Sequence, residues 1–207
     1  MFALVESGTI TQFPKGNKGI TIGENQYPSS IYTLWTEAER NAIGIYTVEI
    51  DSTNRKDEEF YINTNITYAF GSGKVTGSYG TATAKKIADE DAVDESGNKI
   101  KDADGNQVIN YGLKTKYKNK FNAQAAGLLA KTDWYVIKAA DVTSYSVPSN
   151  ITTYRAAVRT KVNAMETSID GCSDVDALIA LLTYTNTGTE ENPVITRPLG
   201  EFPDEVV

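Results

Sequence analysis

Leu113-Lys-Thr-Lys-Tyr-Lys-Asn-Lys-Phe-Asn-Ala-Gln-Ala-Ala-Gly-Leu-Leu129 decides how the chain divides. Leu113, Tyr117, Phe121, Ala125 and Leu128 recur at steps of four, four, four and three, which places them on one stripe of an amphipathic helix. Lys114, Lys116, Lys118 and Lys120 also alternate with a period of two, a pattern that would suit an edge strand. Helix is preferred, because Asn122-Ala-Gln-Ala-Ala continues with helix-compatible residues and no turn. Upstream the apolar residues alternate instead. The expected fold class is therefore α+β: an N-terminal antiparallel β-rich domain, then a small three- to four-helix module, then an extended C-terminal arm.

Three further helical segments follow the first. Asp133 to Asp141 has Thr132 as N-cap and Asp133 at the positive end of the helix dipole. Ser146-Val-Pro148-Ser149 breaks it, and Ile151 to Thr167 carries Ile151, Tyr154, Val158, Val162 and Met165 on one face. Ser173 and Asp176 open a short fourth segment, Val175 to Leu182. Residues 113–182 are thus one helical module, with Leu128, Leu129, Trp134, Tyr154 and Val158 as its expected core. A Trp just inside a helix start is more often a core anchor than a binding residue. Arg155 and Arg159, one turn apart, are expected to bracket Asp133 or Asp141 and fix how two helices cross.

Residues 1–85 read as the β-rich domain. Phe2 to Val5 and Thr9 to Phe13 flank a Ser7-Gly8 turn, and Ile45 to Ile50 alternates as a half-buried strand. Thr36 and Glu39 form a capping-box pattern for a short helix ending near Gly44. Phe60 to Phe70, Gly71-Ser-Gly73 and Lys74 to Ala84 give the clearest hairpin. Residues 86–112 are an acidic connector with turn chemistry at Ser96-Gly97-Asn98 and a small hairpin around Asp104-Gly105. Asp102-x-Asp104-x-Asn106 resembles a calcium loop only superficially: Gln107 stands at the sixth position and Leu113 at the twelfth, where Gly and Glu are needed.

Residues 183–207 form an extended acidic tail punctuated by Pro193, Pro198 and Pro203. Leu199 and Phe202 stand among its prolines and acids. An extended backbone would present both side chains at little ordering cost, so they are the candidate partner-binding residues. The alternative is a frayed end. On the docking reading, truncation after Thr183 is expected to leave the isolated protein's melting temperature nearly unchanged while abolishing self-association or partner binding.

Composition excludes most catalytic machinery. The 207 residues include no histidine and one cysteine, Cys172, beside acids that disfavour a thiolate. Triads that use histidine, cysteine-based zinc clusters and an intrachain disulfide are therefore ruled out. No phosphate-cradling glycine loop is present, because Gly71-Ser-Gly73-Lys74 lacks the spacing and the helix. No enzyme activity and no cofactor are expected. Lys+Arg is 20 against Asp+Glu 27, a formal charge of −7, which disfavours nucleic acid as a partner. Basic residues concentrate in 113–161 and acids in the connector and the tail. No apolar run approaches the ~18 residues of a membrane span, and the opening has no basic segment before its apolar one. A protein folded in a cytoplasm is expected.

Leu128-Leu-Ala-Lys-Thr-Asp-Trp134, followed after a proline-containing loop by Tyr154-Arg-Ala-Ala-Val-Arg159, resembles the LL-x-x-T-D-W and Y-R-x-x-L-R signature of bacteriophage tail fibre assembly and tail assembly chaperone proteins. The opening Phe2-Ala-Leu-Val-Glu-Ser-Gly-Thr-Ile-Thr-Gln-Phe-Pro14 is similar to the usual beginning of that group. Val158 stands where the signature has Leu, and the chain continues past the Y-R helix with another helix and an acidic tail. The resemblance covers residues 120–160 and the opening. It implies a tail morphogenesis protein that binds tail or tail-fibre subunits without catalysis, acting in the host cytoplasm. The alternative is a structural virion component, a tail adaptor or fibre-associated subunit present in several copies. A homo-oligomer is compatible with either.

Overall fold

The computed structural model describes residues 1–206. The chain is mixed α+β, with the main sheet N-terminal and the longer helices after it. It divides into two compact units, Met1–Ala84 and the residues from Lys85 onward, so the acidic connector and the tail share a unit with the helices.

The first unit opens with β1 (Phe2–Glu6), β2 (Thr9–Gln12), β3 (Ile20–Ile22) and β4 (Asn25–Tyr27). Two short helices follow, α1 (Ile31–Leu34) and α2 (Glu37–Ala42), then β5 (Ile45–Asp51), β6 (Tyr61–Ile62), β7 (Thr67–Gly71), β8 (Lys74–Ser78) and β9 (Thr83–Ala84). Thr36 and Glu39 do form the capping box that starts α2. Ser7-Gly8 and Ser72-Gly73 have positive φ at both positions, the turn whose twist suits a tight hairpin.

Five strands form one sheet in the order β2-β1-β5-β8-β7. It is not the wholly antiparallel sheet expected from the sequence. Val48↔Val75 through Asp51↔Ser78 run parallel, joining β5 to β8. A period of two reports which residues face the core but not which strand lies alongside. Residues 52–73 supply the crossover, and β8 takes the inner place because Val75 and Gly77 are buried there. Alternation then gives each sheet face a core. Ala3, Val5, Val48 and Val75 pack with Tyr46, Tyr68 and Phe70 on one side; Leu4, Ile20, Ile31, Tyr32 and Ile45 pack with Phe2 and Trp35 on the other. Phe13, just past β2, rests on Tyr68 of β7 with ring centroids 4.7 Å apart, which draws the two sheet edges together.

The second unit begins with β10 (Glu90–Asp91) paired to β11 (Ile109–Asn110). Between them two loops repeat at a spacing of eight, Asp94-Glu-Ser-Gly-Asn98 and Asp102-Ala-Asp-Gly-Asn106. In each, Asp Oδ1 accepts backbone N–H bonds from the residues two and four positions on, and Oδ2 accepts from the Asn side chain. The backbone closes a ring: Ala92 N–H donates to Val108 O, Val108 N–H to Ile100 O, and Ile100 N–H to Ala92 O, at 2.8, 3.0 and 2.9 Å. The connector is thus a folded knob with two turns rather than one hairpin. The Asp94 and Asp102 carboxylates are occupied by N–H donors, and among the described residues no group of three or more His, Cys, Asp or Glu could hold a metal.

The helices are α3 (Leu113–Ala130), α4 (Asp133–Asp141), α5 (Ser149–Asp170) and α6 (Val175–Leu182). Leu113, Tyr117, Phe121 and Ala125 of α3 are buried, as are Ile151, Tyr154, Val158, Val162 and Met165 of α5. The two stripes face each other antiparallel, with Lys118 Nζ 2.9 Å from Asp170 Oδ1 and Asn122 donating to Glu166 at 2.6 Å. Asp174, not Ser173 or Asp176, caps α6: its carboxylate accepts the Ala177 N–H at 2.8 Å. The short pair β12 (Thr185–Asn186) and β13 (Ile195–Thr196) follows.

Beyond β13 the chain turns at Arg197–Gly200, where the Gly200 N–H donates to Arg197 O at 2.9 Å and Gly200 has φ +69°, and it is not free. Leu199 is only 3% exposed; its N–H donates to Leu181 O at 3.1 Å and its carbonyl accepts from Lys161 Nζ at 2.8 Å. The tail therefore packs back onto its own helices. The apolar residues among the prolines serve this intrachain packing, which the tail's composition alone does not distinguish from display.

Candidate interaction surface

The signature-like segments converge on one guanidinium. Arg155, in the second turn of α5, is 8% exposed. Its Nη1 donates to Leu129 O at 2.8 Å and to Thr132 Oγ1 at 2.7 Å, and its Nη2 lies 2.8 Å from Asp133 Oδ1. The Thr132 hydroxyl in turn donates to Leu129 O at 2.9 Å, so it does not cap α4 with its side chain as expected. The planar guanidinium satisfies a helix-end carbonyl, a hydroxyl and a carboxylate together, which a lysine cannot do. This clamp fixes where α3 ends and α4 begins. Of the two acids expected to pair, Asp133 does; Arg159 instead makes a long contact with Arg155 O, at 3.5 Å.

What the clamp holds is an uncovered helix. None of the nine residues of α4 is buried. Trp134 is 51% exposed, so it is not the core anchor expected from its position. Val136, Ile137 and Val142 are also exposed, Ile137 on the same side as Trp134, and the Lys138 ammonium lies over the Tyr145 ring at 4.5 Å and the Trp134 ring at 5.9 Å. The reason for the difference is geometric. Asp133 must point at Arg155, and Trp134, about 100° further round the helix, is carried away from the core. Trp134 and Ile137, three residues apart, share one exposed side of the helix, and an uncovered apolar side on a monomer is often functional.

In comparisons with known proteins, no family model, no curated protein and no solved structure matches this chain.

The residues named from the sequence as partner-binding lie elsewhere on this unit. Leu199 is enclosed by its own chain. Phe202 is half-buried beside Gln124, Gly127, Leu128 and Lys131, and Glu205 pairs with Lys131 at 2.6 Å. Arg197, just before them, stacks over Phe121 and Tyr184 and pairs with Glu201 at 2.7 Å. Neighbouring Tyr154 is buried, which pushes its hydroxyl above the usual range; the Glu205 carboxylate adds to the shift and Lys131 opposes it. Cys172 is buried, and that burial pushes its thiol above the usual range. A second uncovered strip runs along the β12–β13 arm, where Tyr184, Val194 and Ile195 are each more than half exposed.

Proposed function

We propose that this chain is a phage tail morphogenesis protein that binds tail or tail-fibre subunits without catalysis, in the manner of an assembly chaperone, in the host cytoplasm. The observation that carries this reading is the Arg155 clamp. A buried guanidinium fixes a nine-residue helix none of whose residues is buried and whose Trp134 and Ile137 stand exposed. A helix that short is marginal alone in water, so rigid anchoring of an uncovered face is the arrangement of a surface built for another protein. The residues of the clamp and the exposed Trp134 are also those that resemble the tail assembly signature. Surface recognition needs no histidine, of which this sequence has none.

The second reading, a structural subunit that stays in the particle, is favoured by the β12–β13 arm. An isolated two-stranded ribbon with exposed Val194 and Ile195 gives the same unit a second uncovered apolar strip, as a permanently incorporated subunit requires. No helix among the described residues is long and apolar enough to cross a membrane.

Co-expression with phage tail and tail-fibre proteins tests the proposal: at least one should co-purify. A mass-spectrometric census of purified particles then separates the two readings. Absence from the particle means an assembly factor, and stoichiometric presence means a structural subunit. If no tail protein is retained and the particle lacks the chain, the proposal fails.

A further inference from the structure

The exposed side of α4 is complementary to itself. Trp134, Ile137, Lys138 and Asp141 stand at spacings of three, four and seven, one stripe of the helix, and Tyr145 extends that stripe beyond its end. The stripe carries one base and one acid. Among the described residues neither Lys138 nor Asp141 makes an ion pair, although both are exposed. We propose that α4 docks against α4 of a second copy of this chain, antiparallel, about a two-fold axis that passes between Lys138 and Asp141. This deepens the reading of α4 as an interaction surface and rests on it.

The charges select the register. With the axis between Lys138 and Asp141, each Lys138 faces the other copy's Asp141, Ile137 faces Val142, and Trp134 reaches the Tyr145 end of the other helix. Moving the axis two residues toward the N-terminus would place Ile137 against Lys138 and Trp134 against Asp141, burying both charges of each copy against apolar groups at a cost. A two-fold contact uses the same patch twice, so one base and one acid symmetrically placed give two ion pairs. Lys138 is also held ready by the Tyr145 ring. Two such faces bury well under the ~1,200 Å² of a standard interface, so the pair is weak and concentration-dependent. That suits a subunit whose α4 must later exchange its partner.

The test is sedimentation of the full chain across a concentration series reaching the millimolar range. Wild type should pass from monomer to dimer. Lys138→Asp and Asp141→Lys each create two like-charge contacts, and each alone should weaken association at least about tenfold. Mixed in equal amounts, the two variants should regain a dimer, because position 138 of either copy then meets the opposite charge at position 141 of the other. Both positions are exposed, and unchanged circular dichroism guards against unfolding. The proposal is overturned if the mixture stays monomeric, if single reversals dimerise like wild type, or if wild type is monomeric throughout. In that last case a tail subunit bound by wild type and lost by Trp134→Ala would leave the proposed function standing. Absence of that binding would remove both.

Discussion

Arg155 and Asp133, from two different helices, meet at 2.8 Å with the arginine side chain 10% exposed and the aspartate 50%. The asymmetry decides what the pair does. Asp133 keeps half its hydration, so the charge pair itself contributes little. Arg155 has no such outlet, and its bonds to Leu129 O and Thr132 Oγ1 are the ones that matter.

Substitutions should therefore rank in a fixed order. Arg155→Ala should destabilise the protein by about 2–3 kcal/mol, because two internal acceptors lose their donor. Arg155→Lys should cost about 1–2 kcal/mol, since one ammonium cannot span three acceptors. Asp133→Asn should cost less than about 1 kcal/mol. Denaturant unfolding of the three variants checks the order, and an Asp133→Asn loss as large as that of Arg155→Ala would reverse this account of the clamp.

The tail's contribution follows from its burial. Leu199→Ala should cost about 2–5 kcal/mol, and deletion of residues 197–207 should cost at least as much and lower the melting temperature accordingly. This reverses the expectation drawn from composition, under which the tail could be removed with nearly no thermal effect. A deletion variant that melts with the parent would show that Leu199 is dispensable packing.

In the first unit, Gly44 has φ +84°, and a Cβ there would stand 2.6 Å from Val5 O. The Val5 N–H donates to Gly44 O at 2.8 Å, so this close approach belongs to the β1–β5 contact itself. Gly44→Ala should destabilise by more than about 1 kcal/mol, where an ordinary exposed glycine-to-alanine change would be neutral or stabilising. Thermal melting distinguishes the two.

The knob predicts a pH dependence. Backbone N–H groups, first of all those of Asn98 and Asn106, hold the Asp94 and Asp102 carboxyls below their usual range. The Ala177 N–H does the same for Asp174. A depressed folded-state value means stabilisation that is fully present above the unfolded value of about 4 and is lost as pH falls through the folded one. Stability should thus decline below about pH 4. Asp94→Asn with Asp102→Asn should flatten that decline, as read from chemical denaturation at each pH.

Local periodicity is legible in the sequence. The buried positions of α3 and α5, the limits of α6 and the two tight hairpins all follow from spacing and turn residues. Neighbour choice is not legible: nothing in the alternation of Lys74 to Ser78 tells that this strand lies parallel to β5. Direction on a helix is only partly so. The pairing of Arg155 with an acid of α4 can be expected, but the consequence, that satisfying it turns Trp134 outward, needs the crossing geometry. The repeat of Asp94-x-x-Gly-Asn98 at Asp102-x-x-Gly-Asn106 is visible at a spacing of eight and announces the knob once it is noticed. Tail composition misleads, because prolines and acids give an extended backbone whether it docks or not.

That α4 is a binding surface is the central claim, and Trp134→Ala tests it most directly. The ring is half exposed, so the variant should keep the parent's fold and melting temperature within a few degrees. When co-expressed with the tail and tail-fibre proteins, it should lose the subunit that wild type retains. Undiminished retention by a folded Trp134→Ala variant would contradict the claim.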